Sequence, residues 1–186
     1  MAIPTLPTFS AGEILTSSVM NDVSTLGNYQ GLFHIKTQTV GSGVSSVTVT
    51  GAFSSDFENY LIVDSGGTSS VDGPYRLTFG ASAAFYYWAL IYASFLGGAV
   101  NNSAGNAQAS WDFAGGSATR NGLIEVNNPF LATNTEIRSR VRYGTVYGNN
   151  VGIHAVSSSF TSFTLTAGAG TMTGGTIRVY GYRKSL

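Results

Sequence analysis

The sequence predicts an all-β protein: an antiparallel, jelly-roll-like β-sandwich preceded by an extended N-terminal segment and one short helix. Three observations carry that expectation. From residue 33 onward, short runs alternate apolar and polar residues with period two and are separated by clusters of Gly, Asn and Ser. Aromatic residues make up 12% of the 186, and charged residues only 10%, which excludes a disordered chain. A chain of this length suits a single domain with a proper core.

The first thirty residues break the pattern. Pro4 and Pro7 stiffen an extended leader, and Ser10 with Glu13 has the spacing of a helical capping box, with Thr16 as a second candidate N-cap. Val19, Val23 and Leu26 follow at i, i+4 and i+7, and Gly27 offers a stop. A helix of about ten residues is too short to hold itself in water, so it must dock on something. The chain therefore divides into an attachment segment, residues 1–32, and a sandwich, residues 33–186.

Strands follow one another from there. "FHIKTQTV" and "VSSVTVTG" alternate, and "NYLIVDSGG" runs into a glycine turn. In "YRLTFG", Tyr75, Leu77 and Phe79 share one face. "TRNGLIEV" places Asn121-Gly122 between two strand-like pieces, a strong hairpin signal. In "TEIRSRVRYG", Ile137, Val141 and Tyr143 face one way while Arg138, Arg140 and Arg142 face the other. "VGIHAV", "SFTLTAG" and "GTIRVYGYRK" complete about nine or ten strands at sandwich-like spacing. "NNSAGNAQAS" and "GAGTMTGG" read as loops by composition.

The run "AFYYWALIYASF" is apolar on both faces. Its density of Tyr, Trp and Phe favours a strand over a buried helix. A sandwich strand needs only one face for the core. The row Tyr86, Trp88, Leu90 and Tyr92 is the expected subunit interface, with the chain's own loops or its N-terminal segment as the alternative covers.

Charge and cysteine usage narrow the partners. Lys and Arg number nine and Asp and Glu nine, so the formal net charge is zero and neither nucleic acid nor an anionic membrane is expected as the main partner. Ordinary domains carry about 25% charged residues, so this weakly charged surface suits a chain packed against other subunits. All nine carboxylates lie at or before Glu136, and six cations follow it. Without cysteine there is no disulfide or thiolate chemistry, which favours assembly in a reducing cytoplasm. No secretory signal is visible, and the longest apolar run falls short of the roughly 20 residues a membrane span needs.

Catalysis is not expected. His34 and His154 lie far apart on what read as polar strand phases, no carboxylate or histidine cluster has metal-ligand spacing, and "GSG" at 41–43 opens no helix. No cofactor or metal is expected. Trp111 and Tyr147, with Arg138, Arg140 and Arg142, are candidate contacts for a host-surface glycan, which gives the alternative reading of a carbohydrate-binding receptor-recognition domain, against core or interface packing as the plainer role. A polysaccharide hydrolase, with Asp56, Glu58 and Asp64 as its conceivable carboxylates, ranks last.

Three stretches resemble a known group of proteins. "PTFSAGEILTSSVMND" is similar to the entry segment of many structural proteins of tailed bacteriophages, matching at Phe9, Ala11, Gly12, Glu13, Ile14, Leu15, Thr16, Met20 and Asn21. "FSSDFENYLIVDSG" resembles a recurrent early strand of those proteins, and "GGTIRVYGYRKSL" their last strand. The matches cover about a quarter of the chain, and none is catalytic. The resemblance implies a non-enzymatic virion component, assembled in the host cytoplasm, of the tail-fibre, minor-tail or head-decoration type. It also implies a homo-oligomer, commonly a trimer, attached to other virion proteins. Phe9, Ile14, Leu15, Val19, Met20, Val23 and Leu26 would then dock the segment on the particle. The chain departs from long fibres in lacking a coiled shaft after residue 30, which favours a compact knob.

Overall fold

The computed structural model describes residues 16–17, 31–115 and 119–183. The predicted helix and its docking residues lie outside these, apart from Thr16 and Ser17, which are exposed.

Among the described residues there are fourteen strands in three antiparallel sheets. The largest has eight, in spatial order β1 (Leu32–Thr39), β14 (Thr176–Arg183), β3 (Phe57–Ser65), β9 (Arg120–Asn127), β10 (Thr135–Tyr143), β11 (Val146–His154), β6 (Tyr86–Ser94) and β7 (Asn101–Gln108). A second sheet of four, in the order β2 (Ser46–Val49), β12 (Phe163–Ala167), β5 (Tyr75–Phe79) and β8 (Trp111–Phe113), packs against its inner face. A short pair, β4 (Thr68–Ser69) and β13 (Met172–Thr173), completes the set. The expected all-β sandwich is what the chain forms, with its strands divided unequally between the two layers.

Alternation explains the central strands. On β10, Thr135, Ile137, Ser139, Val141 and Tyr143 are buried while the residues between them are exposed. Tyr60 and Ile62 of β3, Ile124 and Val126 of β9 and Val179 of β14 add to the same inner face. Leu77, Phe79, Phe163, Leu165 and Trp111 close over them from the second sheet. Each such side chain is worth about 1.5–3 kcal/mol when fully buried, so this layer carries the fold.

Several expectations are corrected. Asn121-Gly122 is no hairpin turn; it lies inside β9, where a Cβ on Gly122 would press the Val141 methyl at 3.3 Å. "NNSAGNAQ" is a strand, β7, exposed along most of its length at the sheet edge, so no apolar alternation marks it. The Tyr86 row faces inward: Tyr86 and Leu90 are 0% and 6% exposed within their own chain and have no area to offer a second subunit. Trp88 and Tyr92 are half-buried against the same core. The outward row of that strand and its turn is Phe85, Ile91 and Phe95.

On β11 the phase is the reverse of what "VGIHAV" suggests. Gly148, Asn150 and His154 are buried, whereas Val151 is exposed. Small residues sit on the inner face because β6 and β8 press there: a Cβ on Gly148 would lie 2.8 Å from that of Ala114. His154, expected at the surface, is fully buried, with its ring 4.2 Å from that of Tyr86 and its Nε2 2.8 Å from Ser82 Oγ.

Candidate functional site

The outer face of the eight-stranded sheet carries a trough over β3, β9, β10 and β11. Strand register places its side chains. Arg138 lies opposite Glu125 of β9 and Val151 of β11; Arg140 lies opposite Leu123 and Asn149; Arg142 lies opposite Asn121 and Tyr147. Leu61 and Val63 of β3 continue those rows beyond Glu125 and Leu123. Two cavities of about 410 and 520 Å³ meet end to end along the strands and share Leu123, Arg140 and Asn149. Tyr182 lines the first and Tyr147 the second.

The trough is cationic over an apolar floor. Successive arginines stand about 7 Å apart because residues i and i+2 share a strand face. Neither Arg138 nor Arg140 forms an ion pair among the described residues. Arg142 donates from Nε to the Gly144 carbonyl at 3.1 Å and lies 5.9 Å from the centre of the Phe95 ring, itself stacked on Tyr147 at 4.9 Å. Glu125 is the carboxylate that lines the first cavity. Burial, with Glu125 adding its charge, raises the Tyr182 hydroxyl above its usual pKa.

Beneath the trough lies a buried polar cluster. Asp64 of β3 and Arg120 of β9 are 2% and 0% exposed, with Arg120 Nη2 3.4 Å from Asp64 Oδ1. Arg120 also donates to the Gly174 carbonyl at 3.0 Å and sits 5.7 Å from the centre of the Tyr75 ring, which stacks on Tyr143. Desolvation pushes the Asp64 carboxyl up to about 6, against the opposing pull of Arg120. Burial, reinforced by the charge of Asp64, likewise raises Tyr143.

The trough gathers four of the five predicted glycan contacts: Arg138, Arg140, Arg142 and Tyr147. Trp111 is not among them. It is fully buried on β8 in the opposite sheet, because its strand is a short inner piece of the core. Leu123, Asn149 and Tyr182 were not singled out from sequence; their signal is register, visible only once β9, β11 and β14 are paired. A third cavity of about 440 Å³ lies where the eight-stranded sheet outruns the four-stranded one, between β6 and β8, lined by Trp88, Leu90, Tyr92 and Asp112. Asp112 is engaged there, accepting from Ser110 Oγ at 2.9 Å and pairing with Arg76 at 3.5 Å. Among the described residues no cluster of His, Asp and Glu is placed to hold a metal ion, and no helix is long and apolar enough to cross a membrane.

Fold and site together define an antiparallel β-sandwich with an arginine-lined trough on its larger sheet. No protein-family model and no curated protein matches the chain. Among solved structures it is similar to the tripod from the baseplate of bacteriophage Tuc2009, at 11% identity and a TM-score of 0.24, over 99% of this chain and 100% of that one. A likeness that distant says nothing of what this chain does.

Proposed function

We propose that the chain is a non-enzymatic structural component of a tailed-phage virion, an oligomeric part of the particle surface that docks through residues 1–32 and displays the sandwich. The observation that carries this reading is the apolar end of the larger sheet. Ile91, Phe95, Leu96 and Val100 are 59%, 59%, 81% and 70% exposed around the β6–β7 turn. Covering what remains exposed of each gains somewhat less than the about 1.5–3 kcal/mol of full burial, so the patches of both partners are needed together to offset the roughly 4–15 kcal/mol that association costs. The weak surface charge and the resemblance of "AGEILTSSVMN" and "IRVYGY" to phage structural proteins support the setting. Three-fold symmetry rests on that resemblance, as does the docking role of Phe9, Ile14, Leu15, Val19, Met20, Val23 and Leu26.

The test is immunogold labelling of intact particles with an antibody against the sandwich. Label on particles carrying the full chain, and its loss when residues 1–26 are deleted from a protein that still folds, is the expected result. Unlabelled particles, or normal incorporation of the deleted protein, would overturn the reading.

A further inference from the structure

We propose that the arginine trough on the outer face of the eight-stranded sheet binds a linear acidic polysaccharide, with Arg138 and Arg140 pairing its carboxylates and Tyr147 and Tyr182 bracketing its sugar rings. The inference stands on the geometry of the sheet and does not rest on the virion reading.

Four features of the trough point to that ligand. Its cations repeat along one strand face at about 7 Å, as charges repeat along a polymer. Arg138 and Arg140 have no counter-ion among the described residues, although Glu125 stands in register with Arg138. An exposed guanidinium with its donors uncommitted is the natural partner of a carboxylate, which it can grip bidentately. The floor between the arginines is aliphatic, and the exposed amides of Asn121 and Asn149 beside Arg142 and Arg140 suit hydroxyl groups.

Shape separates a polymer from a small molecule. Sites for small ligands enclose most of the ligand, whereas Leu123, Tyr147, Val151 and Tyr182 all remain more than a third exposed along this trough. A chain can lie in it from end to end. Charge separates a polysaccharide from a nucleic acid. Glu125 lines the trough beside Arg138, where a continuous run of phosphates would have to pass. An acidic glycan with neutral hydroxyls between its carboxylates meets both the arginines and the amides.

Biolayer interferometry with immobilised polygalacturonate and polysialic acid tests this on the full-length protein. At least one of the two is expected to bind, to weaken as salt rises from 50 to about 500 mM through Debye screening, and to leave neutral dextran unbound. Arg140→Gln is expected to weaken binding tenfold or more, while Arg76→Gln, on the other sheet, leaves it unchanged. Glu125→Gln is expected to strengthen binding several-fold, a gain that misfolding cannot mimic. Failure of both acidic polymers to bind, equal losses from Arg140→Gln and Arg76→Gln, weaker binding by Glu125→Gln, or tighter binding to oligo-dT than to either glycan would each overturn the proposal.

Discussion

Replacing Asp64 with Asn should stabilise the protein at neutral pH, although it removes one partner of a buried ion pair. Two effects compete. Breaking a buried pair commonly costs about 3–5 kcal/mol, because the surviving charge is left uncompensated. Against this, the Asp64 carboxyl is pushed up from 3.8 to about 6, with desolvation outweighing the attraction of Arg120. The charge of Asp64 therefore costs the folded state more than the pair returns. A rise of that size corresponds to about 3 kcal/mol at about 1.4 kcal/mol per pH unit.

The sign follows from proton linkage. A carboxyl with a raised folded pKa contributes stability that is fully present below 3.8 and lost as pH rises through 6. Asn mimics the neutral acid at every pH. Below pH 4 the two proteins should be nearly equal in stability, and by pH 8 Asp64→Asn should be ahead by about 3 kcal/mol. Arg120 keeps its bond to the Gly174 carbonyl and its place over the Tyr75 ring, the same contacts it has when Asp64 is protonated, while its buried Nε and Nη1 have no hydrogen-bond partner in either protein. Urea denaturation at fixed protein concentration, followed by the fluorescence of Trp88 and Trp111, reads the difference as a midpoint shift of about 1–2 M. An Asp64→Asn protein less stable than the parent at pH 8, or a difference that does not change with pH, would refute the reasoning.

Other consequences follow from the same structure. Gly152→Ala should lower stability by at least about 2 kcal/mol, because its Cβ would strike the backbone of Tyr87 and Trp88 on the neighbouring strand; an unchanged thermal midpoint would contradict this. Burial lowers the pKa of His154 from 6.5, against a backbone hydrogen bond with Ala84 that raises it. Its imidazole should thus stay neutral below that pH by NMR, and the stability it contributes should fall as pH drops through its folded pKa, opposite in sign to Asp64. Deleting the exposed Thr16 and Ser17 with the rest of residues 1–30 should leave the thermal midpoint of the sandwich within a few degrees, since the described core is built from residue 40 onward.

Much of the fold was legible because its central strands are half-buried. "TEIRSRVRY" and "YRLTF" each show the inner and outer faces directly, and the arginine row was visible for the same reason. Legibility failed where burial and hydrophobicity part company. β7 is paired through its backbone but exposed along most of its side chains, so nothing in its composition marks a strand. On β11 close approach by β6 and β8 selects Gly, Asn and His for the inside and leaves Val151 outside. On β6 both faces are apolar, and only the position of β8 decides that Tyr86 and Leu90 are core while Ile91 is surface. Asp64 shared the inward phase of Tyr60 and Ile62, a signal of its burial available in "NYLIVD". Its partner Arg120 was not legible, since the pairing of β3 with β9 is a property of topology.

Self-association through the apolar end of the larger sheet is open to direct measurement. Size-exclusion chromatography with light scattering, run over a hundredfold dilution, should give a whole multiple of the 19.4 kDa chain mass for the full-length protein. Phe95→Glu combined with Leu96→Glu should reduce it to a folded 19.4 kDa species. A parent protein that elutes as a monomer at every concentration, with Phe95, Leu96 and Val100 left in water, would contradict the assembly on which the proposed function depends.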